Sequence, residues 1–329
     1  MSAQTTGAGS RVRRAGWLLA LAVAVGALVA VRVLQVDVRA GRAAAGLLAV
    51  VLVAGLAARC GARPWPPALL ALVGAGAAGA TALPLLLSAM AVATGVIGAV
   101  LAVMATTPAP TFVRAVREVM VVVLLTATAA LGVAGWAAPM SALRYGYVAL
   151  GLALLGALTL VYSLGAGLHG LGRRGTVVAV AAVLLLAVAL AYGEALSHWG
   201  SPELIAWADR VRAGTRSTLH AVPHPIEVLL GVPALAWGVV MRARRRQGWW
   251  VTAFGTTLTA PMTTRLVDHG VALETTGLSL AYSLVLGLLL AWLVIRVDQA
   301  LTGSHGRRSR RDGEGAAHRP EPARMAALH

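Results

Sequence analysis

Histidines and carboxylates lie in two short segments that separate apolar stretches late in the chain. The first segment contains His220, His224 and Glu227, and the second contains Asp268 and His269. Imidazole and carboxylate groups together are what zinc binding or general acid-base chemistry requires, so these five residues are the candidate catalytic residues. The spacing matches no strong metal motif, because HExxH is absent and the prolines flanking His224 interrupt regular helix. We therefore predict no bound metal and no other cofactor.

Hydroxyl side chains with helical spacing form the second candidate site. The residues are Thr252, Thr256, Thr259 and Thr263 on one apolar segment, with Ser279 and Tyr282 on the next. Pro261 lies in the first of these segments and removes one backbone donor, which frees the carbonyl four residues earlier. Inside a membrane such a group is tolerated only where protein, side chains or water satisfy it. We predict that the two polar stripes either hydrogen-bond to each other or line a substrate path.

The composition excludes an ordinary soluble domain. Hydrophobic residues make up 58% of the 329 positions and charged residues 12%, whereas soluble domains carry roughly 25% charged residues. The net charge of +16 comes from arginines beside apolar stretches and in the tail, so we predict no nucleic-acid binding. A GxGxxG pattern at Gly74, Gly76 and Gly79 lies within an apolar stretch with no preceding strand, which indicates helix packing rather than dinucleotide binding.

The apolar stretches predict an all-α, polytopic integral membrane helix bundle of about ten transmembrane helices. A helix needs about 20 apolar residues to cross the hydrocarbon core of a bilayer. The predicted spans are residues 17–34, 43–58, 68–82, 85–105, 119–137, 147–166, 177–192, 225–241, 249–264 and 276–295. The apolar stretch from 67 to 106 is too long for one span, so we predict a tight turn between Thr81 and Pro84.

Arginines cluster in every second gap between the predicted spans, and this pattern predicts the orientation. With the N-terminus in the cytoplasm, 20 of the 28 arginines fall in cytoplasmic segments, as the positive-inside rule favours. The absence of lysine beside abundant alanine, glycine, valine and arginine is typical of a high-GC bacterial genome. We predict a multi-pass protein of the bacterial plasma membrane with both termini cytoplasmic.

Three regions follow from this topology. Residues 1–14 form a basic cytoplasmic N-terminus, residues 15–296 form the transmembrane domain, and residues 297–329 form a disordered basic cytoplasmic tail. An outer loop near 194–224 contains a short amphipathic helix that Ser201 caps and that ends at Gly214. The first span could instead be a cleaved signal peptide. The single cysteine, Cys60, excludes an intrachain disulfide.

These features support a permease or transporter-like function for a small or amphiphilic solute, with the last three spans lining the path. One alternative is an outer-face enzyme acting on lipid-linked or envelope substrates through the histidines and carboxylates. Another is a non-catalytic membrane scaffold or accessory subunit. The predicted partners are the lipid bilayer and a small-molecule or lipid ligand. Proton antiport is disfavoured, because no Asp, Glu or His lies at the centre of a predicted span.

Overall fold

The computed structural model is all-helical in the part of the chain that it describes. It describes residues 3–165, 168–243, 248–267 and 273–303, together with residues 321, 322, 324 and 326–328 near the C-terminus. The α-helices are α1 (Ala3–Val33), α2 (Val38–Arg59), α3 (Trp65–Thr81), α4 (Pro84–Met104), α5 (Phe112–Gly135), α6 (Ala142–Ser163), α7 (Leu168–Trp199), α8 (Pro202–Leu219), α9 (Val232–Arg242), α10 (Gly248–Ala253), α11 (Thr256–Val267) and α12 (Leu273–Gly303). A π-helical turn, Glu227–Gly231, leads directly into α9. The predicted all-α fold is confirmed for these residues.

Six helices in the described ranges are long and apolar enough to cross a membrane. They are Arg14–Val33, Val38–Arg59, Pro84–Met104, Phe112–Gly135, Ala142–Ser163 and Glu274–Leu301, and they correspond to six of the ten predicted spans. The other four predicted spans also fold as helix, but each is short or interrupted. Helix α3 has 17 residues, the apolar part of α7 covers Ala179–Tyr192, and the spans at 225–241 and 249–264 are each divided into two helical pieces. The count of ten spans therefore stays a prediction.

The tight turn predicted between α3 and α4 is confirmed. Helix α3 ends at Thr81, and Ala82 adopts a left-handed conformation with φ of 51°. Helix α4 begins at Pro84, whose fixed φ suits the first turn of a helix. Its lack of an N–H costs nothing there, because the first N–H groups of a helix have no acceptor within the helix. The long apolar stretch is thus divided into two helices where the sequence indicates.

Helix α8 begins where the sequence predicts but ends later. The Ser201 side chain caps it by accepting a hydrogen bond from the backbone N–H of Leu204 at 3.3 Å. The predicted end at Gly214 is wrong, because the helix continues to Leu219 and His220 supplies the left-handed cap with φ of 60°. The Gly214 carbonyl accepts hydrogen bonds from two following hydroxyls, so the glycine stays within the helix.

Contacts between helix termini divide into two groups at opposite ends of the bundle. At the first, here called the Arg59 end, Arg59 Nε donates to the carbonyl of Met104 at 2.9 Å and joins the last residues of α2 and α4. At the second, the Glu227 end, the Tyr147 hydroxyl donates to Glu194 at 2.9 Å and joins the start of α6 to the end of α7. Consecutive helices therefore run in opposite directions across the bundle.

The centre of the bundle is a helical hairpin, called the central hairpin, formed by the π turn with α9 and by α10 with α11. Its two arms meet backbone to backbone. A Cβ atom added to Gly231 would lie 2.6 Å from the Leu258 nitrogen, and one added to Gly238 would lie 2.5 Å from the Thr252 nitrogen. Only glycine permits such an approach, so these glycines determine how the two arms fit together.

Apolar side chains from α5 and α12 enclose the central hairpin. Leu235 of α9 and Leu258 of α11 are fully buried in a cluster with Val119 and Val122 of α5 and Ala291 of α12. Helices α4 and α6 cover the other side of α11. The hairpin is therefore a core element, and its polar groups must find partners inside the bundle.

We expect Gly238→Ala to destabilise the protein by about 1–3 kcal/mol, because the added methyl group would press on the Thr252 backbone. The matched control is Gly214→Ala on α8, where an added Cβ meets nothing within 4 Å. There the higher helix propensity of alanine should stabilise by about 1 kcal/mol. Thermal unfolding of the detergent-purified variants measures both effects. Equal unfolding midpoints would contradict the close contact between the hairpin arms.

Candidate functional site

Glu227 is the first residue of the π turn that opens the central hairpin. Pro233 gives a local reason for this turn, because proline has no N–H and its ring clashes with the carbonyl four residues earlier, that of Leu229. The helical turn widens at this point, and the N–H of Val232 donates to the carbonyl of Glu227, five residues earlier. Such π turns often occur at functional sites. Here the turn places a fully buried carboxylate at the end of the hairpin.

The opposite arm of the hairpin supplies the partner of Glu227. Arg265, in the last turn of α11, donates from Nη2 to Glu227 Oε2 at 2.9 Å, and its side chain keeps 15% of its surface exposed. The hydroxyl of Ser283 on α12 also donates to the carboxylate. Hydrogen bonds of this kind are needed because removing two charges from water costs more than their attraction returns.

Two serines of α12 fix the loop that precedes the π turn. Ser279 Oγ donates to the carbonyl of Val222 at 2.5 Å, and the backbone N–H of His224 donates to Ser283 Oγ at 2.8 Å. The two serines are four residues apart and so share one face of α12. Together they hold His224 beside the ion pair of Glu227 and Arg265.

Three buried polar atoms of this site have no hydrogen-bond partner. They are His224 Nδ1, Glu227 Oε1 and Arg265 Nη1, and the described residues include one further atom of this kind, Trp237 Nε1. Folded proteins leave few buried polar atoms unpaired, and each one calls for a water, ion or ligand. The carboxylate oxygen is an acceptor, the guanidinium nitrogen is a donor, and the imidazole nitrogen can be either. A group that carries both a donor and an acceptor would satisfy these atoms.

The environment of His224 keeps its side chain neutral. Burial, and to a smaller extent the positive charge of Arg265, lower the pKa of His224 to about 4. At neutral pH the imidazole is therefore uncharged and presents one donor and one acceptor.

The other three candidate catalytic residues are His220, Asp268 and His269. His220 is exposed and ends α8, so the structure does not bring it to the ion pair. Asp268 and His269 lie outside the described residues. Among the residues that are described, no group of three or more His, Cys, Asp or Glu side chains could hold a metal ion.

The threonine stripe is fully buried within the central hairpin. The hydroxyls of Thr252, Thr256, Thr259 and Thr263 donate to the carbonyls of Gly248, Ala253, Thr256 and Ala260, respectively. Thr263 also accepts a hydrogen bond from the Tyr145 hydroxyl of α6 at 2.9 Å. Tyr282 is half-buried on α12, three residues after Ser279. The stripe thus faces the interior, with its hydroxyls bonded to carbonyls of its own segment.

The second hairpin arm is interrupted at Phe254 and Gly255, six residues before Pro261. At this break the N–H groups of Thr257 and Leu258 donate to carbonyls three residues back instead of four. Pro261 itself lies inside α11. The break lies at Gly255, where a Cβ would lie 2.7 Å from a methyl carbon of Leu235, and the carbonyl that Pro261 is expected to free stays a prediction.

Arg265 is the functional residue that the sequence analysis did not single out. One signal could have indicated its role. Glu227 and Arg265 are each 19 residues from position 246, which lies in the gap where the chain must turn between the spans predicted at 225–241 and 249–264. Opposite charges equidistant from such a turn must face each other if the two arms pack in register.

Comparison of the chain with protein-family models, with curated proteins and with solved structures finds no match. The functional assignment below therefore rests on the geometry of the Glu227 site and of the central hairpin.

We expect the free energy of unfolding to fall as the pH decreases from 6.5 towards 4, with a contribution from His224 of up to about 3 kcal/mol. In this range the unfolded chain binds a proton on His224 and the folded chain does not, so acid favours unfolding. His224→Gln should show a smaller loss of stability over the same range, whereas His220→Gln, at an exposed position, should behave like the wild type. Unfolding measured at several pH values tests this. The same pH dependence in all three proteins would contradict a buried, neutral His224.

We expect Thr263→Val to destabilise the protein more than Thr256→Val. The first change leaves the buried Tyr145 hydroxyl without its acceptor, which costs about 1–3 kcal/mol, whereas the second removes only a hydrogen bond within its own segment, worth about 1 kcal/mol. Thermal unfolding of the single variants and of the double variant Tyr145→Phe/Thr263→Val measures the coupling. Additive losses in the double variant would show that the two hydroxyls do not interact.

Proposed function

We propose that the chain is an integral membrane protein with ten transmembrane helices. Large apolar side chains on the outside of the bundle support this proposal. Leu70 of α3, Leu185 of α7 and Leu289 of α12 expose 74%, 71% and 62% of their surface. Extensive apolar surface of this kind is unfavourable in water, and lipid is the environment that accommodates it.

The lengths of the interrupted helices are compatible with ten spans. Residues 225–242 are helical throughout, and residues 248–267 are helical apart from the break at Phe254 and Gly255. At about 1.5 Å per residue these segments extend about 27 and 30 Å, close to the hydrocarbon thickness of about 30 Å. Helix α3, at about 26 Å, and the apolar part of α7 are the other two of the ten proposed spans.

The Arg59 end faces the cytoplasm of a bacterial plasma membrane in this proposal. Arginines concentrate in the segments that join helices at this end, which is the distribution that the positive-inside rule favours. Helix α8 then lies at the outer surface, where exposed Trp199 and Trp207 suit a membrane interface. Both termini lie on the cytoplasmic side.

The function we propose is passage of a small polar or amphiphilic solute through the bundle, with its binding site at the Glu227 end. The observation that carries this proposal is that His224, Glu227 and Arg265 each have one buried polar atom without a hydrogen-bond partner. They would bind a solute with a hydrogen-bond donor next to an acceptor, such as an ammonium or hydroxyl group near a carboxylate or phosphate. Irregular backbone at membrane depth is tolerated where it lines such a site.

The threonine stripe continues from this site towards the Arg59 end and forms the proposed path. Rotation of a threonine side chain would exchange its bond with a carbonyl of its own segment for a bond to the solute. The break at Phe254 and Gly255 lies between Thr252 and Thr256 of the stripe and gives the second arm a place to bend. Ser279 and Tyr282 of α12 border the entrance at the outer face.

A second candidate function is an outer-face enzyme acting on a lipid-linked or envelope substrate. The observation that favours it is the neutral His224 beside the carboxylate of Glu227, a pair suited to general acid-base chemistry. An enzyme would turn over a substrate without moving it across the membrane. This difference separates the two functions experimentally.

We expect a solute with adjacent donor and acceptor groups to raise the unfolding temperature of the purified protein by mass action. The probes are a panel of zwitterionic amino acids, hydroxy acids and phosphate esters of amino alcohols. A hit should lose its effect in Glu227→Gln/Arg265→Gln, which removes both charges and leaves a neutral pair. The matched control is Glu203→Gln/Arg210→Gln on exposed α8, which should respond like the wild type.

Uptake of the radiolabelled hit into proteoliposomes then tests transport. We expect uptake by the wild type and by the α8 control, and loss of uptake in the Glu227 and Arg265 double variant. Thr256→Val should slow uptake more than it lowers binding, because Thr256 belongs to the path and not to the binding site. Binding followed by chemical conversion without uptake would establish the enzyme instead. An unchanged response in the charge-removed variant would place the binding site elsewhere.

A further inference from the structure

A second cluster of buried charges lies at the Arg59 end, at the other end of the first hairpin arm from Glu227. It contains Arg59 at the end of α2, Glu118 in the second turn of α5 and Arg242 at the end of α9, and all three side chains are buried. The predicted spans place all three residues at or beyond a membrane boundary. The function proposed above does not use them.

The carboxyl-terminal end of α4 holds the two arginines in place. Arg59 Nε donates to the Met104 carbonyl at 2.9 Å, and Arg242 donates from Nη2 to the Thr106 carbonyl at 3.1 Å and from Nη1 to the Thr106 hydroxyl at 2.5 Å. The Arg242 guanidinium also stacks 3.4 Å from the centre of the Trp249 ring. Carbonyls at the end of a helix carry partial negative charge and so favour cations there.

The C-terminal segment completes this cluster with opposite charges. Arg324 forms a two-pronged ion pair with Glu118, at 2.8 Å from Nη1 to Oε2 and 2.9 Å from Nη2 to Oε1. Glu321 forms the corresponding pair with Arg242, donated from Nε and Nη2. The Ala326 carbonyl accepts from Arg59 Nη1 at 2.7 Å.

The last described residue anchors the segment beside the end of α2. The N–H of Leu328 donates to the Arg59 carbonyl at 3.0 Å, and its side chain packs on the apolar cluster that includes Trp249 and Trp250. The described residues of this segment, 321, 322, 324 and 326–328, therefore cover the Arg59 end of the central hairpin.

The net charge of this cluster indicates which kind of ligand it attracts. Arg59, Arg242 and Glu118 carry a net charge of +1, and the C-terminal segment leaves this charge unchanged because it brings one carboxylate, Glu321, and one guanidinium, Arg324. A buried charge of this kind is unfavourable unless an anion neutralises it. The guanidinium fork of Arg242 has the geometry to bind a carboxylate or a phosphate in the same way.

We propose that Arg59 and Arg242 form an anion-binding site for a carboxylate or phosphate group, and that Glu321 occupies it as a built-in competitor. The C-terminal segment then covers the Arg59 end until an anion displaces it. Displacement is feasible because the outer partners of the cluster are accessible: Glu321 keeps 20% and Arg324 27% of its side chain exposed, against none for Glu118 and Arg242. This proposal does not depend on the solute or on transport at the Glu227 end.

The single cysteine of the chain provides a direct test. Cys60 follows Arg59, whose carbonyl bonds to the N–H of Leu328, so Leu328→Cys brings a second thiol within reach of a disulfide. The experiment oxidises full-length Leu328→Cys protein in phosphatidylcholine nanodiscs and measures the rate of Cys60 cross-linking by non-reducing electrophoresis and peptide mass. Leu328→Cys in a Cys60→Ser background is the control that cannot cross-link.

Three comparisons follow within this design. Adding Glu321→Gln/Arg324→Gln should slow cross-linking about fivefold, the effect of losing about 1 kcal/mol of ion pairing, while Glu203→Gln on α8 should leave it unchanged. Inorganic phosphate or succinate should slow it relative to chloride at matched ionic strength, and Arg242→Gln should remove this effect. Phosphatidylglycerol nanodiscs test the second source of phosphate: slowing there without added anion identifies a lipid headgroup as the ligand.

Three results would overturn the proposal. Absence of cross-linking in the parent Leu328→Cys protein would show that the C-terminal segment does not cover the Arg59 end. Equal rates with and without the two tail charges would show that the ion pairs do not hold it. A cross-linking rate that does not change with phosphate, succinate or phosphatidylglycerol would show that none of these anions competes with Glu321. Transport plays no part in these readouts, so failure here leaves the function proposed for the Glu227 site untouched.

Discussion

The glycine contacts between the two arms of the central hairpin are the constraint on which the rest of the structure depends. Gly231 and Gly238 let the backbone of one arm touch the backbone of the other, which fixes their register. This register sets Glu227 opposite Arg265 at one end and Arg242 against Trp249 at the other. Larger side chains at the glycine positions would separate the arms and thereby misalign both pairs.

The two ends of the hairpin carry related arrangements with different partners. At the Glu227 end, the Ser283 hydroxyl of α12 bonds to the carboxylate of the ion pair, and polar atoms are left unpartnered. At the Arg59 end, the C-terminal segment completes the cluster with its own ion pairs. The hairpin therefore buries charges at both of its ends, with the threonine stripe between them.

Local patterns in the sequence were sufficient to predict most of the helices. Pro84 and Ser201 predicted helix starts correctly because a cap or a missing N–H acts within one turn. The end of α8 was missed because Gly214 is compatible with continued helix and the hydroxyls that follow it favoured continuation. The site was predicted in part: His224 and Glu227 carried chemistry that a sequence pattern can reveal, whereas Arg265 was one basic residue among 28.

Composition and residues close together in the chain are enough to predict the helical class, the turn between α3 and α4 and the alternation of arginine-rich gaps. The pairing of Glu227 with Arg265, and that of Glu321 with Arg242, 79 residues away, appear only when the helices are packed. The physical reason is that these pairs depend on how backbones approach at Gly231 and Gly238. Hydropathy and residue spacing do not specify how closely two backbones approach, because that distance depends on the packing of all the helices.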